Sequence, residues 1–152
     1  MSETEAAKRE ALRLLSRSEI FRASLERKLQ KKGFSAESVM IALDELCRQK
    51  LLDDERCASL WLRARAARLE GRMRLECELH SRGVDRQCAA RVLDEYFKDV
   101  DEEALCFKAW EKLFAQKQDS LKTRNALTRK GFKAKTILKA ERFFLLHQPP
   151  QG

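Results

Sequence analysis

A short motif that occurs three times at nearly regular spacing constrains this chain more than any other feature. Each copy is a charged, helix-forming stretch that ends in a basic residue, a glycine and an apolar residue. The copies run over 25–34, 75–84 and 123–132. Their glycines, Gly33, Gly83 and Gly131, are 50 and 48 residues apart. A period in this range signals an array of supersecondary units.

The chemistry of the motif predicts the end of a helix. In the copy from Leu75 to Val84, leucines four residues apart share one helical face. The basic residue lies in the last turn, where it faces the negative end of the helix dipole. Glycine then adopts the left-handed conformation, and the apolar residue after it packs back in a Schellman-type end. Each copy therefore predicts a helix, a stop and an apolar contact.

Apolar residues recur at helical spacing on both sides of each glycine, and no long stretch alternates with the period of a strand. The chain has only 5 glycines and 2 prolines, which also favours helices. We predict an all-α fold of nine helices in three tandem three-helix repeats over 1–50, 51–98 and 99–147, with a disordered tail over 148–152. A repeat of this size has a marginal core, so stacking between repeats should contribute to stability.

Acidic residues cluster where helices should begin, at Asp53-Asp54 and at Asp101-Glu102-Glu103, and Asp119 precedes a further helix. Carboxylates suit the positive end of a helix, so we interpret them as caps rather than as catalytic or metal-binding groups. The second helix is predicted from about Glu19 to Lys32. Trp61 and Trp110 occupy equivalent positions on apolar stripes, which favours core packing over stacking on nucleic-acid bases.

Several functional classes find no support in the sequence. No apolar run of 18 residues predicts a membrane span, and the polar start does not resemble a signal peptide, so we expect a cytoplasmic protein. The five cysteines form no CxxC pair and the two histidines are far apart, which argues against a metal site. No nucleophile with a base, Walker loop or dinucleotide fingerprint is present, so we predict neither a catalytic site nor a cofactor.

Positive charge is the strongest functional signal. The net charge is +8, and basic residues concentrate in three patches. The first patch holds Arg63, Arg65, Arg68, Arg72 and Arg74; the second holds Lys122, Arg124, Arg129, Lys130, Lys133 and Lys135; the third holds Lys28 and Lys32. Such patches bind phosphates or acidic side chains, and the alternative is a solvated surface that only confers solubility.

Several blocks of the sequence resemble one family. They are Leu25-Glu-Arg-Lys-Leu29-Gln-Lys-Lys-Gly33, Leu52-Asp-Asp-Glu-Arg-Cys-Ala58, Gly71-Arg-Met-Arg74 and Glu78-Leu-His-Ser-Arg-Gly83-Val84. At these spacings they are similar to the RecX family, the recombination regulatory proteins of bacteria. The resemblance runs from about residue 6 to residue 147 and is strongest over 45–95.

The resemblance implies a fold and a function. RecX proteins consist of tandem three-helix repeats in an elongated, curved rod that could lie along a filament groove. They bind the RecA recombinase, chiefly its filament on single-stranded DNA, and restrain it, which lowers ATP hydrolysis, strand exchange and repressor cleavage. They perform no catalysis. We therefore expect a monomeric regulator whose partners are RecA, its nucleoprotein filament and, through the three basic patches, DNA.

Two other functions stay open from the sequence. The chain could be a general helical module that binds single- or double-stranded DNA and affects recombination only by occupying it. It could also be a helical scaffold for another partner. Whether the basic residues meet DNA or RecA, whether filaments are capped or lined, and whether RecA is inhibited or activated are equally open.

Overall fold

The computed structural model describes residues 2–147, and the predicted tail over 148–152 lies outside them. Within this range the chain is entirely helical, which confirms the predicted fold class. The nine helices are α1 (Glu3–Leu15), α2 (Arg22–Lys31), α3 (Ala36–Arg48), α4 (Asp54–Arg65), α5 (Arg72–Ser81), α6 (Arg86–Asp99), α7 (Glu102–Lys117), α8 (Ser120–Arg129) and α9 (Ala134–Leu146). A 3-10 helix, Ala66–Arg68, extends α4.

By its internal contacts the chain forms two compact units. The first contains the residues up to Trp61 together with Leu79–Ala89, and the second contains Leu62–Glu78 together with the residues from Ala90 onward. The boundaries of the three predicted repeats stay a prediction, because this division follows contacts rather than repeats.

The core of the first unit is aliphatic. Helix α1 packs against α2 and α3, and the apolar faces of these helices bury Ala11, Leu25, Leu29, Val39 and Leu43. Each fully buried leucine contributes about 2 kcal/mol through the hydrophobic effect. Leu25 and Leu29 belong to the recurring motif, so its first copy supplies part of this core.

The core of the second unit is built around an aromatic residue. Trp110 of α7 is fully buried, and it lies near the rings of Phe114 and Phe144 at centroid distances of 6.2 Å. Helix α7 packs against α8 and α9, which add Leu127 and Ile137 to the same cluster. Core packing is thus confirmed for Trp110.

Trp61 does not share the environment of Trp110. Its indole is half-buried, and the guanidinium of Arg82 lies 5.0 Å from the ring centroid in a cation–π arrangement. The prediction of equivalent core positions is therefore wrong for Trp61. Its ring lies at the wall of a surface cavity that it shares with Ile20, Phe21 and Leu60.

The helix stops form as the motif predicts. Gly33, Gly83 and Gly131 have φ of +98°, +82° and +92°, all in the left-handed region. The residue after each glycine donates its N–H to the carbonyl of a leucine in the last turn of the helix; for Val84 the acceptor is the Leu79 oxygen at 3.1 Å. This six-to-one bond identifies the Schellman motif.

The start of α2 differs from the prediction. The helix begins at Arg22 and not near Glu19, because Phe21 is the N-cap and has an extended backbone, with ψ of 142°. Its first N–H, on Arg22, donates to Asp54 Oδ1 at 2.8 Å. The cap therefore comes from α4, which local sequence does not reveal.

The same device recurs in the second unit. The N–H of Arg72, at the start of α5, donates to Glu102 Oε1 at 3.0 Å. The guanidiniums of Arg22 and Arg72 also pair with carboxylates of α3 and α6, at 2.6 Å from Asp44 and Asp94 respectively. Helix α8 differs, since Asp119 caps it locally by accepting the N–H of Lys122 at 2.9 Å.

Gly33 and Gly131 provide a matched test of the stops. An added Cβ at Gly33 meets no atom within 4 Å, whereas at Gly131 it would overlap the backbone nitrogen of Arg74. We expect Gly33→Ala to lower the free energy of unfolding by about 1 kcal/mol through backbone strain alone. Gly131→Ala should lower it by about 3 kcal/mol or more. Urea unfolding followed by circular dichroism measures both, and equal losses would contradict the proposed close approach.

Candidate anion-binding site

The charged residues that line one cavity of the second unit are mostly positive. It has a volume of about 660 Å³ and lies among the end of α4, the 3-10 helix, α7 and the end of α8. Its charged lining consists of Glu70 and seven cations: Arg65, Arg68, Arg74, Lys112, Lys117, Arg129 and Lys130. We call it the basic pocket. Its apolar lining includes Leu69, Leu113 and Ala126.

The turn after the 3-10 helix directs the chain into this pocket. Leu69 adopts a left-handed conformation, with φ of +54°, and its side chain is buried in the core cluster that contains Trp110. A left-handed leucine is strained, and the burial of its side chain offsets that cost. The turn brings Glu70 and Gly71 alongside the end of α8.

Backbone hydrogen bonds then join the two segments. The N–H of Gly71 donates to the carbonyl of Lys130 at 2.8 Å. The N–H of Met73 donates to the carbonyl of Gly131 at 3.3 Å. A Cβ at Gly71 would lie 2.6 Å from the Gly131 oxygen, so the approach requires glycine. Glu70, Arg74 and Lys130 are thereby fixed beside one another.

Glu70 is the acid at the centre of this arrangement. Only 7% of it is exposed, and its two oxygens accept from Nε and Nη2 of Arg65 at 2.9 and 2.8 Å. This hydrogen-bonded contact raises the pKa of Arg65. Arg65 Nη1 also lies 3.6 Å from Glu78 Oε2. The arginine is thus a structural partner of Glu70 rather than a cation available to a ligand.

Arg74 is compensated less completely. Its Nε lies 3.6 Å from Glu70 Oε2, and its Nη2 lies 3.4 Å from Glu78 Oε1. Nearly half of its side chain is exposed, so these ion pairs are screened by solvent. The ion pairs of Arg74 are therefore weaker than the hydrogen-bonded pair of Arg65 with Glu70.

Lys130 is partly buried among the other charged groups of the pocket. Burial lowers its pKa, and the positive charges of Lys112, Arg74 and Arg68 lower it further, against the opposing effect of Glu70. Its Nζ donates to the carbonyl of Arg68 at 2.6 Å. Neighbouring cations that depress the pKa of a lysine would be relieved by an added anion.

Four cations of the pocket are uncompensated. Arg68, Lys112, Lys117 and Arg129 are exposed, and across residues 2–147 their side chains make no ion pair or hydrogen bond with the protein. They belong to the 3-10 helix, α7 and α8, so three elements present them to one cavity. The pocket can therefore bind an anion with several charge-assisted hydrogen bonds.

The first predicted basic patch is divided by the structure. Arg65, Arg68 and Arg74 line the basic pocket, whereas the guanidinium of Arg72 pairs with Asp94 at 2.6 Å. Arg63 is exposed on α4 and does not line the pocket. A run of arginines in sequence thus contains one buried pair, one surface pair and cations that face different sides.

The second patch is divided in the same way. Arg129 and Lys130 line the pocket, while Arg124 Nε lies 3.2 Å from Glu141 Oε2. The remaining members, Lys122, Lys133 and Lys135, are exposed outside it. The roles of all these residues in binding stay predictions.

The third patch belongs to the first unit. Lys32 Nζ donates to Glu10 Oε1 at 2.6 Å, so its charge has an acidic partner. Lys28 lines a separate cavity of about 480 Å³ that also contains Leu60 and Trp61. This cavity carries far less positive charge than the basic pocket.

Sequence reasoning missed Lys112 and Lys117 and treated Glu70 only as an interruption of an arginine run. Both lysines lie on α7, where Glu111 and apolar residues stand between the basic residues, so the sequence shows no continuous basic run there. Their position at the end of the helix that carries Trp110 was the available signal, since the buried face of that helix fixes which residues face outward.

Other chemistry finds little support in the described part of the chain. No group of three His, Cys, Asp or Glu side chains that could hold a metal ion occurs among residues 2–147. No helix in that range is long and apolar enough to cross a membrane. Burial raises the pKa of the Cys57 and Cys106 thiols to about 12, so both stay protonated and unreactive near neutral pH.

Two family models match the chain. The model of the first three-helix domain of RecX matches residues 7–46, and that of the second three-helix domain matches residues 53–93. Together they cover more than half of the chain. Most of the basic pocket lies beyond the second match, on α7 and α8.

Individual relatives cover more of the sequence. The regulatory protein RecX of Treponema pallidum (strain Nichols) is 40% identical over 123 residues, which are 80% of this chain and 75% of the relative. The regulatory protein RecX of Pelodictyon phaeoclathratiforme is 33% identical over 143 residues, which are 90% of this chain and 87% of the relative.

Solved structures share the fold. The crystal structure of RecX from Lactobacillus salivarius superimposes with a TM-score of 0.81 at 20% identity, covering 95% of this chain and 97% of that one. Another crystal structure of regulatory protein RecX gives a TM-score of 0.83 at 22% identity over 92% of this chain and 72% of that one. At these identities the likeness concerns the fold alone.

Glu70 can be tested against an exposed ion pair of the same unit. Glu70→Gln leaves Arg65 buried with weaker compensation, and we expect the free energy of unfolding to fall by about 2–3 kcal/mol. Asp94→Asn removes the partner of Arg72 at the surface and should cost less than about 1 kcal/mol. Urea titrations of the two variants and the parent protein give both values. A larger loss for Asp94→Asn would show that Glu70 does not anchor the pocket.

Proposed function

Because the chain belongs to the RecX family of regulatory proteins, we propose that it binds the RecA recombinase, principally as the filament on single-stranded DNA. Binding lowers the ATPase, strand-exchange and repressor-cleaving activities of RecA. The chain thereby acts in homologous recombination, DNA repair and the SOS response, in the cytoplasm where RecA works. The role requires no catalytic step by the chain itself.

One observation supports this role beyond family membership. The basic pocket presents four uncompensated cations and Lys130 to a single cavity, with one buried acid already engaged by Arg65. A RecA filament carries the phosphates of its DNA and acidic side chains of its protein, and either offers the negative charge that the pocket needs. Binding at such a surface is steered by electrostatics and weakens as salt rises.

The structure of the pocket also indicates which residues to change. Arg65 is a poor choice, because its removal would leave Glu70 buried without its main partner. Lys112 and Arg129 are exposed and make no ion pair within residues 2–147. Their replacement by glutamine removes two charges and leaves the packing intact. Lys31 and Arg48 of the first unit, also exposed and without a side-chain hydrogen bond or ion pair in that range, provide a matched control.

The experiment measures ATP hydrolysis by RecA on single-stranded DNA while this protein is titrated in. We expect hydrolysis to fall at amounts stoichiometric with RecA. The double variant Lys112→Gln/Arg129→Gln should need at least about five-fold more protein for the same effect, since each charged contact contributes roughly 1 kcal/mol or more. Lys31→Gln/Arg48→Gln should match the parent protein. If the parent protein at stoichiometric amounts leaves ATP hydrolysis by RecA unchanged, the proposal is wrong.

A general DNA-binding module is the second candidate, because the same pocket would bind phosphates of bare DNA. The two candidates differ in whether RecA is recognised directly. Capture of RecA by this protein in the absence of DNA favours the regulator, while DNA binding with no capture of RecA favours the general module.

A further inference from the structure

The chemistry of the basic pocket goes beyond the proposed function, which leaves open whether phosphates or acidic side chains meet it. We propose that the pocket binds two adjacent phosphate groups, either of a free nucleotide or of consecutive units in a nucleic-acid strand. The inference deepens the proposed function but does not need RecA, so the two can fail separately.

The first argument for a phosphate ligand is that cations from three elements line the same cavity. Arg68 approaches from the 3-10 helix, Lys112 and Lys117 from α7, and Arg129 and Lys130 from the end of α8. Five cations therefore converge on a cavity of about 660 Å³. A single carboxylate would compensate only one of them. Two adjacent phosphates bring at least two negative charges and several acceptor oxygens into the same space.

The second argument is that Glu70, the acidic residue of the lining, already has a basic partner. Glu70 cannot neutralise the five converging cations, because its oxygens accept from Arg65 at 2.9 and 2.8 Å and it is nearly fully buried. It pairs instead with Arg65 and Arg74 within the lining of the pocket. The positive charge at the mouth is left for a ligand.

The third argument comes from the uncharged residues of the lining. Leu69, Ala109 and Leu113 form the apolar part of the lining, and their side chains offer an anion no hydrogen bond. Among residues 2–147, Gln116 is the one uncharged polar side chain of the lining. With so few neutral donors and acceptors, the pocket recognises phosphates without reading the identity of a base.

The test uses this protein alone with defined probes. Isothermal titration with inorganic pyrophosphate, with ATP in the absence of divalent ions, and with a short thymidine oligonucleotide measures binding at constant ionic strength. An oligoglutamate peptide serves as the carboxylate probe. We expect at least one phosphate probe to bind, and Lys112→Gln/Arg129→Gln to weaken its binding at least about ten-fold. The control Lys31→Gln/Arg48→Gln should stay within about two-fold of the parent protein.

The probes distinguish the sources of phosphate. Binding of pyrophosphate and ATP without the oligonucleotide identifies a free-nucleotide site, whereas oligonucleotide binding that pyrophosphate displaces identifies two phosphates of a strand. Either result supports the proposal. It is overturned if no phosphate probe binds, if oligoglutamate binds as tightly as the phosphates, or if the control variant loses as much affinity as the pocket variant. Circular dichroism of both variants verifies that the helices are intact.

Discussion

The close approach of Gly71 to Gly131 is the contact on which the charged part of the second unit depends. The N–H of Gly71 donates to the carbonyl of Lys130, and neither glycine has room for a Cβ. Clustered cations repel one another and cannot assemble a pocket by themselves. Two backbone segments joined by hydrogen bonds, with Trp110 packed in the core nearby, supply the frame that holds them together.

Ion pairs occur in both units, and within residues 2–147 the basic pocket is a place where four cations lack one. In the first unit Lys32 pairs with Glu10 at 2.6 Å, and in the second unit Arg72 pairs with Asp94 at the same distance. In the second unit the acid of the basic pocket is buried against Arg65. The repeated helices and glycine stops therefore provide similar local frames, while the balance of charge differs. The net charge of +8 is thus less informative than the place where it is uncompensated.

The elements that the sequence predicted are those set by neighbours in the chain. Glycine stops, Asp119 as a cap and the helical fold depend on interactions within a few residues. The pocket depends on tertiary contacts, and so the sequence could not distinguish Arg72, which pairs with Asp94, from Arg68, which is unpaired in the described range. Lys112 joins the site only because the buried face of α7 turns it towards the end of α8.

The account requires the basic pocket to be covered when the protein occupies a RecA filament. Lysine acetylation read by mass spectrometry tests this directly, with and without filaments assembled on single-stranded DNA. We expect Lys112 and Lys117, which line the pocket, to be protected by the filament, while the exposed Lys31 of the first unit reacts equally in both conditions. Equal labelling of Lys112, Lys117 and Lys31 in the presence of bound filament would contradict the account.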